Sequence, residues 1–115
     1  MKVNYKDKEK EEVDEGVFRI WLLDESLGAK NFFMRMFEIL PGKETKEDKH
    51  PYEHEIFVVS GEGKIKTGNT WEDMYPGDAF FIPGNVIHSI KNSGKEILKF
   101  ICIVPSSYRK YRKER

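Results

Sequence analysis

Two short stretches decide how this chain folds: residues 48–61, DKHPYEHEIFVVSG, and residues 76–92, PGDAFFIPGNVIHSIKN. Each joins a brief run of β-branched and aromatic residues to Gly, Pro or Asn, which is typical of a strand bounded by turns. Further strands of this kind are expected at residues 17–23, 31–40, 64–66, 71–75 and 97–104. Nothing between them has a helical period, so the pattern predicts an all-β sandwich or barrel.

The length of 115 residues suits one domain. We expect three parts: a polar N-terminal extension at residues 1–16, a β domain at residues 17–107 and a basic C-terminal tail at residues 108–115. Charge runs at chain ends are usually solvated, so both ends are expected to be loosely attached.

The composition excludes several classes of function. With 20 basic and 20 acidic residues the chain has no net charge to attract nucleic acid. It has no apolar run of about 20 residues to span a bilayer, and its N-terminus does not resemble a signal peptide. The single cysteine, Cys102, cannot form an internal disulfide and fits a reducing compartment, so we expect a cytoplasmic protein. A charged fraction of 35 %, rich in Lys and Glu, is the bias seen in thermophile proteins.

The chain has only three histidines, His50, His54 and His88, and all lie in the two opening stretches. On a strand Asp48, His50 and His54 would point the same way. A straight strand would hold His50 and His54 roughly 13 Å apart, so a shared metal requires a bend, for which Pro51 is a suitable place. A helical pairing of the two is excluded, because Pro51 and the β-branched run that follows oppose a helix.

Together the two stretches resemble the two sequence motifs of the cupin superfamily, in its small single-domain form with one conserved barrel. The second stretch fits its motif at Gly77, Pro83, Asn85, His88 and Asn92. The resemblance implies a jelly-roll barrel, also described as a double-stranded β-helix, with a metal held by the motif histidines. The first stretch departs from its motif, since Asp48 stands where that motif has a histidine.

The resemblance implies His50 and His88 as metal ligands, with either His54 or Glu55 as a third. Adjacent residues on a strand face opposite sides, so only one of the two can bind. The sequence of residues 51–57, PYEHEIF, resembles small cupins in which a histidine is the ligand here, and this favours His54. Asp48 is either an oxygen ligand or a solvated carboxylate paired with a nearby lysine. Imidazoles with one carboxylate suit Mn, Fe, Ni, Co or Zn, and the sequence does not choose among them.

Alternation along two strands supplies the pocket candidates Arg35, Phe100 and Cys102. Lys99 should face water, which turns Phe100 and Cys102 inward. Cys102 is expected to be a small buried residue rather than a reactive thiol. An inward Arg35 could hold a substrate carboxylate, whereas an outward one would be a surface residue paired with Glu38 or another neighbour.

A metal site with open positions predicts a dioxygenase-like oxidoreductase acting on a small organic molecule. A metal-dependent sugar or keto-acid isomerase and a non-enzymatic ligand- or metal-binding protein are the alternatives. The motifs offer no obvious second base for an isomerase, and no helix-turn-helix pattern suggests a regulator. Similar small cupins form homodimers through N-terminal strands, and the apolar face of residues 17–23, with Trp21, would suit such an interface.

Overall fold

The computed structural model describes residues 1–111, which form nine strands and three short 3-10 helices. The strands are β1 (Glu11–Asp14), β2 (Val17–Leu23), β3 (Phe32–Ile39), β4 (His54–Ser60), β5 (Gly63–Thr67), β6 (Thr70–Met74), β7 (Ala79–Ile82), β8 (His88–Asn92) and β9 (Leu98–Pro105). The 3-10 helices are Tyr5–Asp7, Glu25–Leu27 and Ser106–Lys110.

The strands form two antiparallel sheets, which confirms the all-β prediction. One sheet has the order β1-β2-β3-β9-β4-β7 and the other the order β6-β5-β8. The apolar core lies between them, because each sheet buries one face and contributes alternate side chains to one cluster. Ile56 and Val58 come from β4, while Ile65 and Ile90 come from β5 and β8 of the other sheet.

Strand β9 lies inside the larger sheet and pairs with both β3 and β4. Its burial alternates residue by residue, so Phe100 and Cys102 are buried and Lys99 is partly exposed. In β3, Phe33 and Arg35 are buried on the same side of the strand. These two strands therefore present Arg35 and Cys102 to the space between the sheets.

The N-terminal residues differ from the loose extension expected for residues 1–16. Residues 11–14 form β1, which pairs with β2 at the edge of the larger sheet. Sequence EEVD shows little strand preference, but charged residues are common on edge strands, where they oppose unwanted pairing. The hydroxyl of Tyr5, in the first 3-10 helix, accepts a hydrogen bond from Lys99 Nζ at 3.2 Å. This segment is therefore packed against the domain.

The expected C-terminal tail begins inside the core. Tyr108 is 1 % exposed and stacks on Trp21, with ring centroids 5.7 Å apart. Residues 112–115 of that tail lie outside the described residues. Trp21 packs on Tyr108 within the protomer, while Phe18, Leu22 and Leu23 of the same strand are half-buried. The homodimer stays a prediction.

Between residues 1 and 111, no helix has the length and apolar character needed to span a bilayer.

Candidate metal centre

Three imidazole rings converge between the two sheets. One ligand nitrogen from each of His50, His54 and His88 lies within 4.8 Å of the others. The rings are buried, with exposures of 4 %, 8 % and 8 %. His54 is the first residue of β4 and His88 the first of β8, so one comes from each sheet. His50 lies in the loop before β4. The fold thus gathers residues that are up to 38 positions apart in sequence (88 − 50).

The chain bends between His50 and β4, at Pro51 and Tyr52. Residues 76–92 hold this bend in place, because the Asn85 amide donates a hydrogen bond to the His50 carbonyl at 2.7 Å. Gly84 packs directly against Pro51, and a Cβ added there would lie 2.2 Å from the Pro51 carbonyl oxygen. The bend lies where His50 and His54 need it to share one metal. Gly84, which has no side chain, leaves space for the Pro51 carbonyl.

Backbone carbonyls orient two of the rings. His50 Nδ1 lies 2.7 Å from the Tyr52 carbonyl oxygen, and His88 Nδ1 lies 2.9 Å from that of Val86. A carbonyl only accepts, so each Nδ1 carries the proton and each Nε2 carries a lone pair. The Tyr52 ring also stacks on His50 at 3.7 Å and 6° between planes. These contacts prepare both Nε2 atoms to bind a metal.

Side chains orient the third ring. His54 Nδ1 lies 3.3 Å from an Arg35 guanidinium nitrogen and 3.2 Å from Cys102 Sγ. Arginine can only donate, so the Cys102 sulfur is the group of this pair that can accept from a protonated Nδ1. Burial raises the pKa of the Cys102 thiol, and the Arg35 guanidinium lowers it in part. Cys102 therefore contacts His54 as a neutral thiol.

The donor set fits a transition metal. His54 Nε2 and His50 Nε2 are 2.8 Å apart. Two ligands bound at about 2.0–2.1 Å and at right angles would be about 3 Å apart, so a shift of a few tenths of an ångström suffices. Neutral imidazole nitrogens suit Zn, Fe, Ni, Co and Mn, and their burial excludes competing water. The site can hold such an ion.

The other two ligand candidates lie apart from this group. Asp48 is half-buried and its backbone pairs with that of His88, while its carboxylate accepts from the Lys49 amide at 2.8 Å. Asp48 is outside the converging set of residues 1–111, and its ligation stays a prediction. Glu55 is exposed, whereas His54 beside it is buried, as alternation along β4 requires.

A cavity of about 360 Å³ adjoins the histidines. Arg35, Phe100 and Cys102 all line it, together with Asp48, His54 and His88. Arg35 is 5 % exposed and so is not the surface residue of the alternative interpretation. Apolar walls come from Ile56, Ile82, Ile90 and Phe37.

Some lining residues could not be anticipated from the motifs. Val13 and Asp14 of β1 line the cavity, as do residues 45–47 of the loop that precedes the site. Lys46 and Asp14 form an ion pair of 3.6 Å between these two segments. Only the recognition of β1 as a strand would have indicated this wall. Tyr52 was also missed, although it shares the parity of His50 and His54.

We expect Cys102→Ala to weaken metal binding about 10- to 100-fold, because His54 then loses the acceptor for its Nδ1 proton. Cys102→Ser keeps an acceptor of similar size and should retain most of the affinity. Competition with a chromogenic chelator measures both, and Ile101→Ala, on the opposite face of β9, is the matched control. Equal affinities for the alanine variant and the unaltered protein would contradict this role.

Comparison with known proteins agrees with this description. Residues 35–104 match the family described as Cupin domain, Cupin_2. The polyketide cyclase RemF from Streptomyces resistomycificus superposes with a TM-score of 0.86 and 27 % identity, covering 92 % of this chain and 79 % of that one. A cupin 2 domain-containing protein from Halorhodospira halophila superposes with a TM-score of 0.76 and 31 % identity, covering 84 % and 68 %.

A curated relative is the 1-methylthio-D-xylulose 5-phosphate methylsulfurylase of Rhodospirillum rubrum, 30 % identical over 71 residues, which cover 62 % of this chain and 46 % of that protein. The chain spans less than half the length of the curated relatives it matches. The match over residues 35–104, the two-sheet jelly roll and the histidine cluster agree, and they show that this chain belongs to the cupin family.

Proposed function

We propose that the protein is a metal-dependent, dioxygenase-like oxidoreductase that acts on a small organic molecule. One observation carries the proposal: three buried imidazoles meet beside a cavity of about 360 Å³, which is a volume suited to a small ligand. Three protein nitrogens leave further coordination positions for ligands. Two of the relatives named above, a polyketide cyclase and a methylsulfurylase, differ in their reactions, so membership of the family does not decide the chemistry.

A bound Fe(II) or Mn(II) would supply the redox and Lewis-acid chemistry. The chain's own residues supply binding and exclusion of water. Phe100 and Ile82 are almost fully buried and give the cavity an apolar wall. Arg35 places a fixed positive charge beside His54. Such a site can orient a small molecule and separate it from bulk water.

Asp48 favours a second candidate, a metal-dependent isomerase. Asp48 is half-buried and lines the same cavity as His54 and His88. A carboxylate there could move a proton between two positions of a substrate. Such a reaction needs no oxygen, so the two candidates differ in a way that can be measured.

The test is oxygen uptake by protein loaded with Fe(II) or Mn(II), using a panel of phenols, 2-oxo acids and sugar phosphates. Oxygen consumption that depends on substrate and is lost in His88→Ala supports the oxygenase. The same panel run without oxygen and followed by NMR identifies an isomerase, whose turnover should depend on Asp48. Tight binding without turnover in either arm would contradict both and favour a binding protein.

We also propose that the protein works in the cytoplasm. Cys102 is free and buried, and its sulfur contacts the ring of His54. Oxidation of this sulfur would add oxygen atoms to a packed wall of the metal site. A reducing compartment keeps the thiol intact.

A further inference from the structure

Among residues 1–111, Arg35 is a buried cation with no acidic side chain within salt-bridge distance. It is 5 % exposed, like Arg19 at 3 % and Glu38 at 3 %. Arg19 has a salt bridge of 3.4 Å with Glu11, and Glu38 has one of 2.7 Å with Lys10. Within residues 1–111, Arg35 has no salt bridge, and its Nε has no hydrogen-bond partner. Two of these three buried charges are thus paired within the protein, and the charge of Arg35 is not.

The surroundings of Arg35 hold the guanidinium but do not balance its charge. The group lies over the rings of Trp21 and Phe37, at 5.5 and 5.0 Å from their centroids. Its polar neighbours are Cys102 Sγ at 3.1 Å and His54 Nδ1 at 3.3 Å, and neither is a carboxylate. Cation–π contacts recover part of the cost of burial, but an isolated buried charge is still unfavourable without a counter-ion.

The position of Arg35 indicates where a counter-ion would come from. Arg35 lines the cavity beside His54, so an anion inside that cavity can reach both the guanidinium and the metal centre. A divalent ion on neutral imidazoles would increase the positive charge of this wall and so favour an anion further. The cavity volume of about 360 Å³ limits that anion to a small molecule.

We propose that Arg35 is a substrate-binding residue that receives the carboxylate of a small organic acid. The planar guanidinium matches a carboxylate in shape and charge, and its N–H donors are arranged for a two-point contact. This rests on the proposed function only in treating the cavity as the substrate site. It narrows the substrate class from small organic molecules to those with a carboxylate within a few bonds of the metal-binding oxygen.

The test compares each acid with its own neutral amide. Binding of pyruvate, pyruvamide, benzoate and benzamide is measured by calorimetry, with Zn(II)-loaded and with metal-free protein. At least one acid should bind about tenfold or more tightly than its amide, in both forms. Arg35→Met should remove this preference and Arg35→Lys should keep part of it. Arg19→Met and Arg19→Lys are the matched controls and should leave the preference unchanged.

Thermal unfolding gives a second readout that a structural role would move in the opposite direction. Methionine fills a similar volume without a charge, so Arg35→Met should melt at a higher temperature than the unaltered protein, while Arg19→Met, which loses its salt bridge with Glu11, should not. Acids and amides that bind equally, acids that fail to bind at millimolar concentration, or a preference that survives in Arg35→Met would each overturn the proposal. Failure of oxygen uptake would not, because binding is measured without turnover.

Discussion

His88→Ala is expected to lose its metal and, with it, all metal-dependent turnover. His88 is one of three ligands and the one that comes from the smaller sheet, so its removal leaves two imidazoles. Loss of one of three ligands should lower metal affinity by at least about 100-fold, since even the loss of a residue that only hydrogen-bonds to a ligand costs about 10- to 100-fold. Metal analysis of protein purified without added metal measures this, together with the rise in melting temperature on addition of Zn(II).

Glu55→Ala is the control for this experiment. Glu55 adjoins a ligand in sequence but is exposed, so its variant should keep its metal and its Zn(II)-dependent rise in melting temperature. A Glu55 variant that loses metal while His54→Ala retains it would reverse the ligand assignment. Asp48→Ala belongs in the same series: a drop in affinity would establish Asp48 as an oxygen ligand, and full retention of metal would exclude it.

Gly84→Ala is expected to disturb the metal site from outside it. The added Cβ would lie 2.2 Å from the carbonyl oxygen of Pro51, and both atoms belong to backbone that cannot simply rotate away. The loop must move, and that movement also strains the 2.7 Å hydrogen bond from Asn85 to His50. We expect a loss of about 2–3 kcal/mol in the free energy of unfolding and a loss of metal affinity as His50 shifts.

Chemical denaturation with and without Zn(II) measures both effects. Gly94→Ala is the matched control, because that glycine has an ordinary φ and its added Cβ would lie 3.3 Å from the Glu62 Cβ and at least 3.5 Å from its other neighbours. It should change stability far less than Gly84→Ala. If Gly84→Ala were as stable as the control and bound metal normally, the close packing of the two stretches would not be what positions His50.

The strands and the histidines were predictable because their signals are local. Alternating apolar residues and Gly or Pro turns indicated β2 to β9, and alternation along β9 also gave the correct inward side of Phe100 and Cys102. Strand β1 was not predicted, since an edge strand gains its stability from pairing and needs few apolar side chains of its own. Tyr108 was placed in the tail because its basic neighbours conceal a core residue.

The site was predictable only as a group of candidate residues. The alternation of side chains along β3 placed Arg35 on one of its two faces, but it did not indicate which face the other sheet covers. That depends on how the sheets pack, which short-range sequence does not record. The contact of Cys102 with His54 joins residues 48 positions apart, and it arises because β9 lies beside β4 in the sheet. The bend at Pro51 was required by the hypothesis of a shared metal, and its support by Gly84 was visible only in the fold.

The different supports of the three imidazoles affect how this site can evolve. His50 and His88 are oriented by main-chain oxygens, which every amino acid provides, so substitutions at Tyr52 or Val86 leave those acceptors in place. His54 is oriented by the side chain of Cys102, which a single codon change can replace. Substitutions at Cys102 can therefore change how His54 is held while the main-chain acceptors of His50 and His88 stay in place. Divergence in metal preference among descendants of this chain should concentrate around His54.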